Sequence, residues 1–229
     1  MVQTMKIDVL DHGFVRLVES MGNDLSIVRS ARVSYDADWR AGEDEGKDEK
    51  LIRYLMKNQH TSPFEAVTFT FEVKAPIFVF RQWHRHRMWS YNELSARYAE
   101  LDEGFYIPSS EIIGKQSKDS KQARDIGEAD EADTIHIAMI KHACENAHGV
   151  YKRLLAGGVP RELARSVLPV AAYSRMFASV DLHNLMHFLK LRLNNYAQYE
   201  IRVYAEAMLE LAATVCPVAI AAFKEYNGL

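Results

Sequence analysis

An apolar segment followed at once by a basic, aromatic one constrains this chain more than any other feature. Residues 67–80 are mostly apolar, and residues 81–97 then carry four arginines against one acid, a net charge of +3 in a chain whose total is −3. An apolar segment of this kind belongs in the core, so the polar groups attached to it are held beside rigid structure. Guanidinium groups pair with phosphate oxygens and stack on planar rings. The pattern indicates a site for a nucleotide-like ligand.

Two other interpretations of the basic segment stay open at this point. Residues 81–97 could form a solvated helix face whose tryptophans, Trp83 and Trp89, are packed into the core. The same residues could form the stacking and phosphate platform of a non-catalytic nucleotide- or RNA-binding protein. The total charge of −3 argues against a dedicated nucleic-acid binder, whose domain is normally basic.

The composition is typical of a globular protein outside the membrane. Of the 229 residues, 48% are hydrophobic and 26% are charged, and neither a membrane-length apolar run nor a signal-peptide pattern is present. Neither a repeat nor a linker divides the chain, so a single domain over residues 1–229 is predicted. Cys144 and Cys216 lack a C-x-x-C partner and fit small core residues better than nucleophiles. They favour a reducing, cytoplasmic location.

Hydrophobic periodicity predicts a mixture of strands and helices, an α+β fold. The predicted strands are 5–10, 13–20, 67–73, 103–108 and a segment within 168–180. The first predicted helix begins near residue 24 and ends near residue 34. The other predicted helices cover 48–58, 75–87, 128–155, 160–167, 181–192, 198–215 and 217–226. Residues 37–49 are expected to form a mobile loop, and residues 109–127 a polar excursion on the surface.

The segment Gln59–Glu65 resembles the start of a helix. Ser62 is a suitable N-cap before Pro63, and Glu65 stands where a capping box requires it. Free N–H groups at such an end favour an anion or a carbonyl-rich ring. A cap with no ligand is the alternative.

Metal and serine-hydrolase chemistry are weakly supported. His183 and His187 are predicted to share one helix face, but Asn184 stands where an H-E-x-x-H site needs its glutamate. Two protein ligands are one short of a catalytic zinc site, so no metal is predicted and a two-histidine metal hydrolase ranks third. Ser90 and Ser95 are not in a G-x-S-x-G turn, and the chain has neither a Walker A loop nor G-x-G-x-x-G.

Arg85-His-Arg87, seven residues and then Ser95 form the R-H-R-x7-S signature of the flavin-dependent thymidylate synthases. The chain resembles this family over almost its whole length, from Met5-Lys-Ile-Asp to Cys216-Pro217. The flanking matches are Ser62-Pro-Phe-Glu65, Ala75-Pro-Ile-Phe, Tyr91-Asn-Glu-Leu-Ser95, Tyr106-Ile-Pro, Gly158-Val-Pro-Arg-Glu162, Ala164-Arg165 and Leu191-Arg192.

The resemblance implies an α+β domain with a central, mostly antiparallel sheet flanked by long helices. It implies conversion of dUMP to dTMP, with methylenetetrahydrofolate as carbon donor, FAD as hydride carrier and NADPH as reductant. It also implies a homotetramer with active sites shared between subunits, and neither a nucleic-acid nor a membrane partner. A reduced flavin removes the need for a nucleophilic cysteine, which agrees with the absence of a credible one.

The resemblance also assigns roles to individual residues. The implied flavin contacts are His60, Ser62, Arg85, His86, Arg87, Asp181, His183 and His187. The implied dUMP contacts are Gln82, Trp83, His84, Arg85, Glu93, Leu94, Ser95, Ala96, Arg97, Arg165 and Arg192. Arg192 is expected to polarise the uracil at N3, and Ser95 to position the ring with its hydroxyl.

Four positions depart from the usual pattern of the family. Ala66 and Asp181 stand where histidine and asparagine are common, and His183 and His187 replace arginine and asparagine. A carboxylate at Asp181 cannot donate a hydrogen bond as an amide can. For Arg165, pairing with acids on a helix face together with Arg161 is the alternative to nucleotide binding.

Overall fold

An antiparallel sheet forms the centre of the fold. The computed structural model describes residues 5–101 and 104–229. Its strands are β1 Lys6–Val9, β2 Gly13–Met21, β3 Thr68–Pro76, β4 Ser90–Glu93 and β7 Tyr173–Asp181, in the spatial order β1-β2-β3-β7-β4. Every neighbouring pair is antiparallel. The predicted α+β fold with an antiparallel sheet is therefore confirmed.

Long helices cover this sheet. They are α1 Asp24–Arg32, α2 Glu45–Lys57, α3 Ile77–Trp83, α5 Glu131–Ala156, α7 Leu182–Arg192, α8 Tyr199–Val215 and α9 Pro217–Asn227. The short helices α4 Ser110–Ile113 and α6 Arg161–Ala164 and the hairpin of β5 Lys115–Gln116 with β6 Arg124–Asp125 complete the elements used below. None of the helices in the described part of the chain is long and apolar enough to cross a lipid bilayer.

Strand β3 lies between β2 and β7 and carries much of the core. Phe69, Phe71 and Val73 alternate along it and are buried, as the period of two in the sequence predicts. The buried carboxylate of Glu72 lies between Arg16 of β2 and Arg175 of β7, with which it forms ion pairs. Both arginines come from neighbouring strands and compensate the buried Glu72 carboxylate, which would be costly to leave unpaired.

The end of α3 differs from the prediction. The predicted helix 75–87 begins after β3, which takes up Ala75 and Pro76, and it ends at Trp83. The Tyr91 hydroxyl donates to the His86 carbonyl at 2.9 Å and lies 3.1 Å from the Trp83 carbonyl. Tyr91 belongs to β4, a strand that the sequence analysis missed because its pairing partner, β7, is remote in sequence.

Other predicted elements need correction. The segment Ser62–Ala66 is a 3-10 helix whose N-cap is Thr61 without a side-chain hydrogen bond, so the predicted Ser62 capping box is wrong. The expected loop 37–49 contains the first turn of α2, capped by Asp44. The predicted strand 103–108 is reduced to an isolated bridge at Phe105. Residues 109–127 contain α4 and the β5–β6 hairpin. The described residues do not include Glu103 of the predicted strand, nor residues 1–4 and 102 of the predicted domain.

Replacing Tyr91 by phenylalanine tests the hydrogen bond that fixes the turn after α3. Tyr91→Phe removes the donor and leaves the part-buried carbonyls without it, so the free energy of unfolding should fall by about 1 kcal/mol. Urea denaturation measures this change. The matched control Tyr35→Phe alters a side chain that is 85% exposed and should have no measurable effect. Equal stability of Tyr91→Phe and the unmodified chain would contradict the account of this turn.

Candidate active site

The basic segment 81–97 lies between two clefts. The first, which we call the β4 cleft, has a volume of about 690 Å³. Its polar lining comes from α3 and the turn after it, from the end of β4 and the residues that follow, from α6 with the turn after it, and from β7. The lining side chains that carry charge or a polar group are Arg81, His84, Glu93, Ser95, Glu162, Arg165, Ser166 and Ser174. Leu94 and Ala96 also line it.

The second cleft, the α7 cleft, has a volume of about 440 Å³ and lies between the turn after α3 and helix α7. It is lined by Arg85, His86, Arg87, Met88, Trp89, Asn184, His187, Leu191 and Arg192. The two clefts share no lining residue within residues 5–101 and 104–229. The single segment 81–97 therefore supplies side chains to both.

A third cavity, of about 310 Å³, adjoins α7 on the side of α2 and α9. His187 lines both this cavity and the α7 cleft, and His183 lines the cavity. The two imidazoles thus share a helix face, as the spacing predicts. Gln59 and Thr61 line the cavity, rather than the predicted His60 and Ser62. His60 is exposed and its ring contacts Tyr54 edge-to-face.

Trp83 is a core residue, and its predicted contact with substrate stays a prediction. Its side chain is fully buried, and its ring stacks on Phe188 with the ring centroids 4.9 Å apart. Edge-to-face contacts with Phe80, Trp89 and Tyr204 surround it. A side chain enclosed by four aromatic rings fixes the end of α3.

Two further predicted residues have structural partners. Asp181 is the N-cap of α7 and accepts from the Asn184 backbone N–H at 2.8 Å and from the Asn184 side-chain amide at 2.6 Å. Both carboxylate oxygens are engaged in this cap. Arg97 is exposed and lies 3.6 Å from Glu162 in an ion pair. Neither residue is among those that line the three spaces described above.

Arg192 is held in place by the end of α3. Its Nε donates to Nε2 of His86 at 3.0 Å, and an Nη donates to the backbone carbonyl of Gln82 at 3.1 Å. Burial, with the nearby Arg192 and His187, lowers the pKa of His86 to about 4. His86 is therefore neutral at physiological pH and accepts a hydrogen bond from the guanidinium. Burial also lowers the pKa of Arg192, which stays charged because an arginine starts so high.

The β4 cleft contains a hydroxyl between charged groups. The Ser95 hydroxyl accepts from the Arg97 backbone N–H at 3.3 Å, in the turn that follows β4.

Cys144 and Cys216 are buried, and burial raises the pKa of both thiols, so neither supplies a thiolate at neutral pH. The arrangement favours positioning and electrostatic chemistry over attack by a cysteine nucleophile.

The part of the chain that the structure describes contains no cluster of three or more His, Cys, Asp or Glu side chains arranged to hold a metal ion. Lining residues that were not predicted from the sequence include Arg81, Gln59, Thr61, Asn184 and Lys190. The spacing of Arg81 from His84, one helical turn, was the signal that could have placed Arg81 in the β4 cleft.

Comparison with known proteins shows which family the chain belongs to. Residues 16–218 match the model of the family described as "Thymidylate synthase complementing protein". A flavin-dependent thymidylate synthase of Thermus thermophilus is 50% identical over 222 residues, which are 97% of this chain and 79% of that protein. The chain belongs to the flavin-dependent thymidylate synthase family. The family member from Thermotoga neapolitana is 48% identical over 97% of this chain and 95% of its own length.

Solved structures extend the likeness to the fold. A UMP/dUMP methylase, PolB, from Streptomyces cacaoi bound with 5-Br dUMP has a TM-score of 0.86 and 39% identity, covering 96% of this chain and 98% of that chain. The same methylase bound with 5-Br UMP gives the same score and identity, covering 96% and 97% of the two chains.

A flavin cofactor fits the donors of the α7 cleft. A flavin nucleotide carries phosphate oxygens and a planar ring with carbonyl acceptors, and the cleft presents the guanidinium groups of Arg85, Arg87 and Arg192. The Trp89 indole N–H is buried at the same cleft without a protein hydrogen-bond partner among the described residues. A cleft rich in donors and cations is suited to an anionic, acceptor-rich ligand.

The lowered pKa of His86 predicts a pH dependence of stability. The ordinary value is 6.5 and the folded value is about 4, so the folded state binds fewer protons between them. Stability from neutral His86 is fully present above pH 6.5 and is lost as the pH falls towards 4. His86→Gln keeps an acceptor for Arg192 but does not titrate. The stability advantage of the unmodified chain over this variant should shrink by on the order of 1–3 kcal/mol between about pH 7 and about pH 4.5.

Urea denaturation at several pH values measures that difference. His12→Gln, at an exposed histidine, is the control and should show no comparable trend. The free energies of unfolding of the unmodified chain and His86→Gln should not differ by a constant amount across this pH range. A constant difference would contradict the assignment of His86 as a neutral acceptor.

Proposed function

We propose that this chain converts dUMP to dTMP with methylenetetrahydrofolate as carbon donor, FAD as the flavin and NADPH as reductant. The observation that carries the proposal is the position of Arg192, whose guanidinium is fixed by His86 and Gln82 at a cleft next to the R-H-R segment. It is supported by family membership and by the methylase structures bound with 5-Br dUMP and 5-Br UMP.

The β4 cleft is proposed to take the nucleotide. A volume of about 690 Å³ is within the range of small-molecule sites. Arg81 and Arg165 supply guanidinium groups for a phosphate, while the Glu93 carboxylate can accept from a sugar hydroxyl. Ser95 is proposed to position the pyrimidine with its hydroxyl. Of the other expected dUMP contacts, His84, Leu94 and Ala96 line the cleft, and Arg97 lies at its edge through the ion pair with Glu162.

The α7 cleft and the cavity beside it are proposed to take FAD. Arg85 and Arg87 offer donors for its phosphates, and His183 and His187 face the adjoining cavity from α7. His60 and Ser62 flank the cavity residues Gln59 and Thr61, so contacts from them would need only a local rearrangement of this turn. When bound, FAD reduced by NADPH would supply the hydride that completes the new methyl group.

Arg192 is proposed as the electrostatic catalyst. Its guanidinium, held by two hydrogen bonds, lines the α7 cleft and not the β4 cleft, so we propose that it faces the uracil of a nucleotide bound in the β4 cleft of a neighbouring subunit. Its remaining N–H donors can then stabilise negative charge at N3 and the neighbouring carbonyl oxygens. Because His86 and Gln82 fix the group before substrate arrives, the cation does not need to reorganise during the reaction. Neutral His86 accepts from Nε and so directs the rest of the guanidinium away from itself.

A homotetramer with shared active sites is proposed for two reasons. The two clefts share no lining residue among those described, so neither cleft of one chain holds the full set of site residues. Apolar side chains are exposed at both clefts, with Val170 at the β4 cleft and Met88 and Leu191 at the α7 cleft. On α5, Ile135 and Met139 are 62% and 64% exposed. A second copy covering these surfaces would complete the site and bury the apolar groups.

The rival nucleic-acid platform is not favoured by the geometry. Of the four arginines in residues 81–97, Arg81 lines the β4 cleft, Arg85 and Arg87 line the α7 cleft, and Arg97 lines neither, so they do not form one continuous face. The unpaired Cys144 and Cys216 fit a reducing compartment, and we assign the enzyme to the cytoplasm.

An assay on the purified chain tests the proposed function. We expect a yellow protein with flavin absorbance that oxidises NADPH when dUMP and methylenetetrahydrofolate are present, and dTMP as the product. Colourless protein that neither binds added FAD nor oxidises NADPH in the presence of dUMP would overturn the proposal.

Replacing Arg192 by alanine should separate catalysis from flavin binding. Loss of the fixed cation should lower kcat for dTMP formation by about 100-fold or more, because an oriented charge acts mainly on the transition state. Flavin absorbance per chain should be retained. Arg29→Ala, which removes an exposed arginine of α1, is the control. Loss of the flavin from Arg192→Ala would show that Arg192 serves mainly to hold the cofactor.

Replacing Ser95 by alanine should leave measurable turnover. If the hydroxyl only positions the ring, the KM for dUMP should rise by about 3- to 30-fold, the worth of one or two hydrogen bonds, and dTMP should still form. Steady-state kinetics with varied dUMP measure both effects. Complete inactivity with unchanged dUMP binding would instead give Ser95 a direct part in the chemistry.

A further inference from the structure

A small cavity lies between the β5–β6 hairpin and the start of α8, and we call it the hairpin cleft. Its volume is about 190 Å³. Its lining includes two arginines, four side-chain amides and one tyrosine, and no carboxylate is among the described residues that line it. It shares no described lining residue with the β4 cleft, the α7 cleft or the third cavity. None of the residues to which the family resemblance assigns a ligand lines it, so the cleft is a separate candidate site.

Two guanidinium groups converge on one ring in this cleft. Arg124 of β6 and Arg202 of α8 line the cleft, and their guanidinium carbons lie 5.7 and 5.8 Å from the centroid of the Tyr199 ring. Attraction to the ring stabilises each cation. The two like charges are thereby held near each other at one small cavity, and a bound anion would offset their mutual repulsion.

Arg124 is anchored in the core but keeps donors for a ligand. One of its Nη atoms donates to the Glu200 carboxylate at 2.8 Å, and Glu200 is 1% exposed. The Nε of Arg124 is buried and has no hydrogen-bond partner among the described residues. A guanidinium group carries five N–H donors in a rigid fork, so one ion pair leaves others to bind an acceptor.

The charges around the cleft favour an anion. Arg202 lies 3.9 Å from the Glu206 carboxylate, whose side chain is 56% exposed, and such a surface pair is weak. The hairpin segment 115–125 carries four cations, of which Arg124 is one, against two carboxylates. An excess of cations around a small cavity raises the local concentration of anions.

The start of α8 strengthens this preference. The helix covers 17 residues, and its N-cap residue, Gln198, makes no side-chain hydrogen bond to the free N–H groups of the first turn. The positive end of the helix dipole therefore lies at the wall that Gln198 and Tyr199 form. The Gln198 side chain is instead engaged by Glu200 and by the amide nitrogen of Gln82, which fixes this wall against α3.

The size and the donors of the cleft suit one small group. Its volume is below the range of about 300–1,000 Å³ that is typical of sites for whole small-molecule ligands. Guanidinium forks match the oxygens of phosphate, and a phosphate group offers several acceptor oxygens at once.

We propose that the hairpin cleft binds a phosphate group, held by Arg124 and Arg202. The phosphate is either inorganic phosphate or the phosphate of a nucleotide whose other parts lie outside the cleft. Glu200 holds Arg124 in place, and the Tyr199 ring keeps both cations at the cleft. The site is independent of the proposed reaction.

Protection of Arg202 from chemical modification tests the site directly. The full chain is treated with phenylglyoxal, which reacts with guanidinium groups, at increasing concentrations of inorganic phosphate, while sodium chloride keeps the ionic strength constant. Mass spectrometry of the peptides gives the modification rate of each arginine. Saturating phosphate should slow the modification of Arg202 by about fivefold or more and leave the exposed Arg29 of α1 unchanged. Equal rates at Arg202 with and without phosphate would overturn the proposal.

Calorimetric titration with inorganic phosphate gives a second readout. Arg202→Gln keeps a long polar side chain next to Tyr199 but removes the cation, so this variant should bind one phosphate fewer per chain than the unmodified protein. Arg29→Gln is the matched control and should bind as many as the unmodified protein. Equal binding by the unmodified protein and Arg202→Gln would overturn the proposal.

A conservative change tests the part of Arg124. Arg124→Lys keeps a charge opposite Glu200, which an alanine would leave unpaired in the core, but replaces the fork by a single ammonium group. Half-maximal protection of Arg202 should then need about tenfold more phosphate. The midpoint of thermal unfolding is recorded to show that the variant is folded. Half-maximal protection at an unchanged phosphate concentration would overturn the two-arginine site.

The same protection assay identifies the source of the phosphate. Adenosine monophosphate and dUMP are compared with inorganic phosphate at equal concentrations, and adenosine and deoxyuridine are the controls without phosphate. Stronger protection of Arg202 by a nucleotide supports the phosphate of that nucleotide as the ligand, and stronger protection by inorganic phosphate supports the free ion. Protection by a nucleoside equal to that by its nucleotide would overturn the proposal, because the ligand would not be held by its phosphate.

Discussion

The contact of Arg192 with the end of α3 is the interaction on which the site depends. A half-buried guanidinium needs hydrogen-bonding partners for the groups it turns inwards, and Arg192 has the His86 imidazole and the Gln82 carbonyl. Both partners are neutral, so they hold the group without cancelling its charge. The cation is therefore fixed and remains available for electrostatic work, which a carboxylate partner would have weakened.

The aromatic core beneath this contact explains its rigidity. Trp83 ends α3 and packs on Phe188 of α7, the helix that also carries Arg192. His86, three residues after Trp83, contacts Phe188 as well, with the ring centroids 4.9 Å apart. The same packing that buries these rings thus sets the distance between His86, which follows α3, and Arg192, which lies on α7. Burial of His86 in this cluster also keeps it neutral, which couples stability, pH and catalysis at one residue.

Much of the fold could be predicted from local sequence pattern, and the missing parts were those that depend on remote contacts. The alternation along β3 and the stripes of the long helices are local, and they predicted the right elements. Strand β4 pairs only with β7, and the end of α3 is set by Tyr91, so the helical pattern through Arg87 was misleading. The placement of Trp83 in the core shows the same limit, since two of its ring partners, Phe188 and Tyr204, are remote in sequence.

The candidate site, like the fold, was predictable where it depends on local sequence pattern and not where it depends on remote contacts. The R-H-R-x7-S signature identified the segment, and helical spacing placed His183 and His187 on one face. The hydrogen bond between His86 and Arg192 and the one between Gln82 and Gln198 join residues about a hundred positions apart, and no local pattern reveals them. Their strength comes from burial, which only the folded chain shows.

The central claim is that a preorganised Arg192 draws negative charge onto the uracil ring. The most direct measurement is the N3–H signal of ¹⁵N-labelled dUMP bound to the flavin-loaded enzyme, followed by NMR as the pH is raised. A cation beside the ring lowers the pKa of its N–H group. We expect dUMP bound to the unmodified enzyme to lose its N3 proton at a lower pH than dUMP bound to Arg192→Ala or free dUMP. Loss of the proton at the same pH in all three samples would contradict a role of Arg192 in polarising the ring.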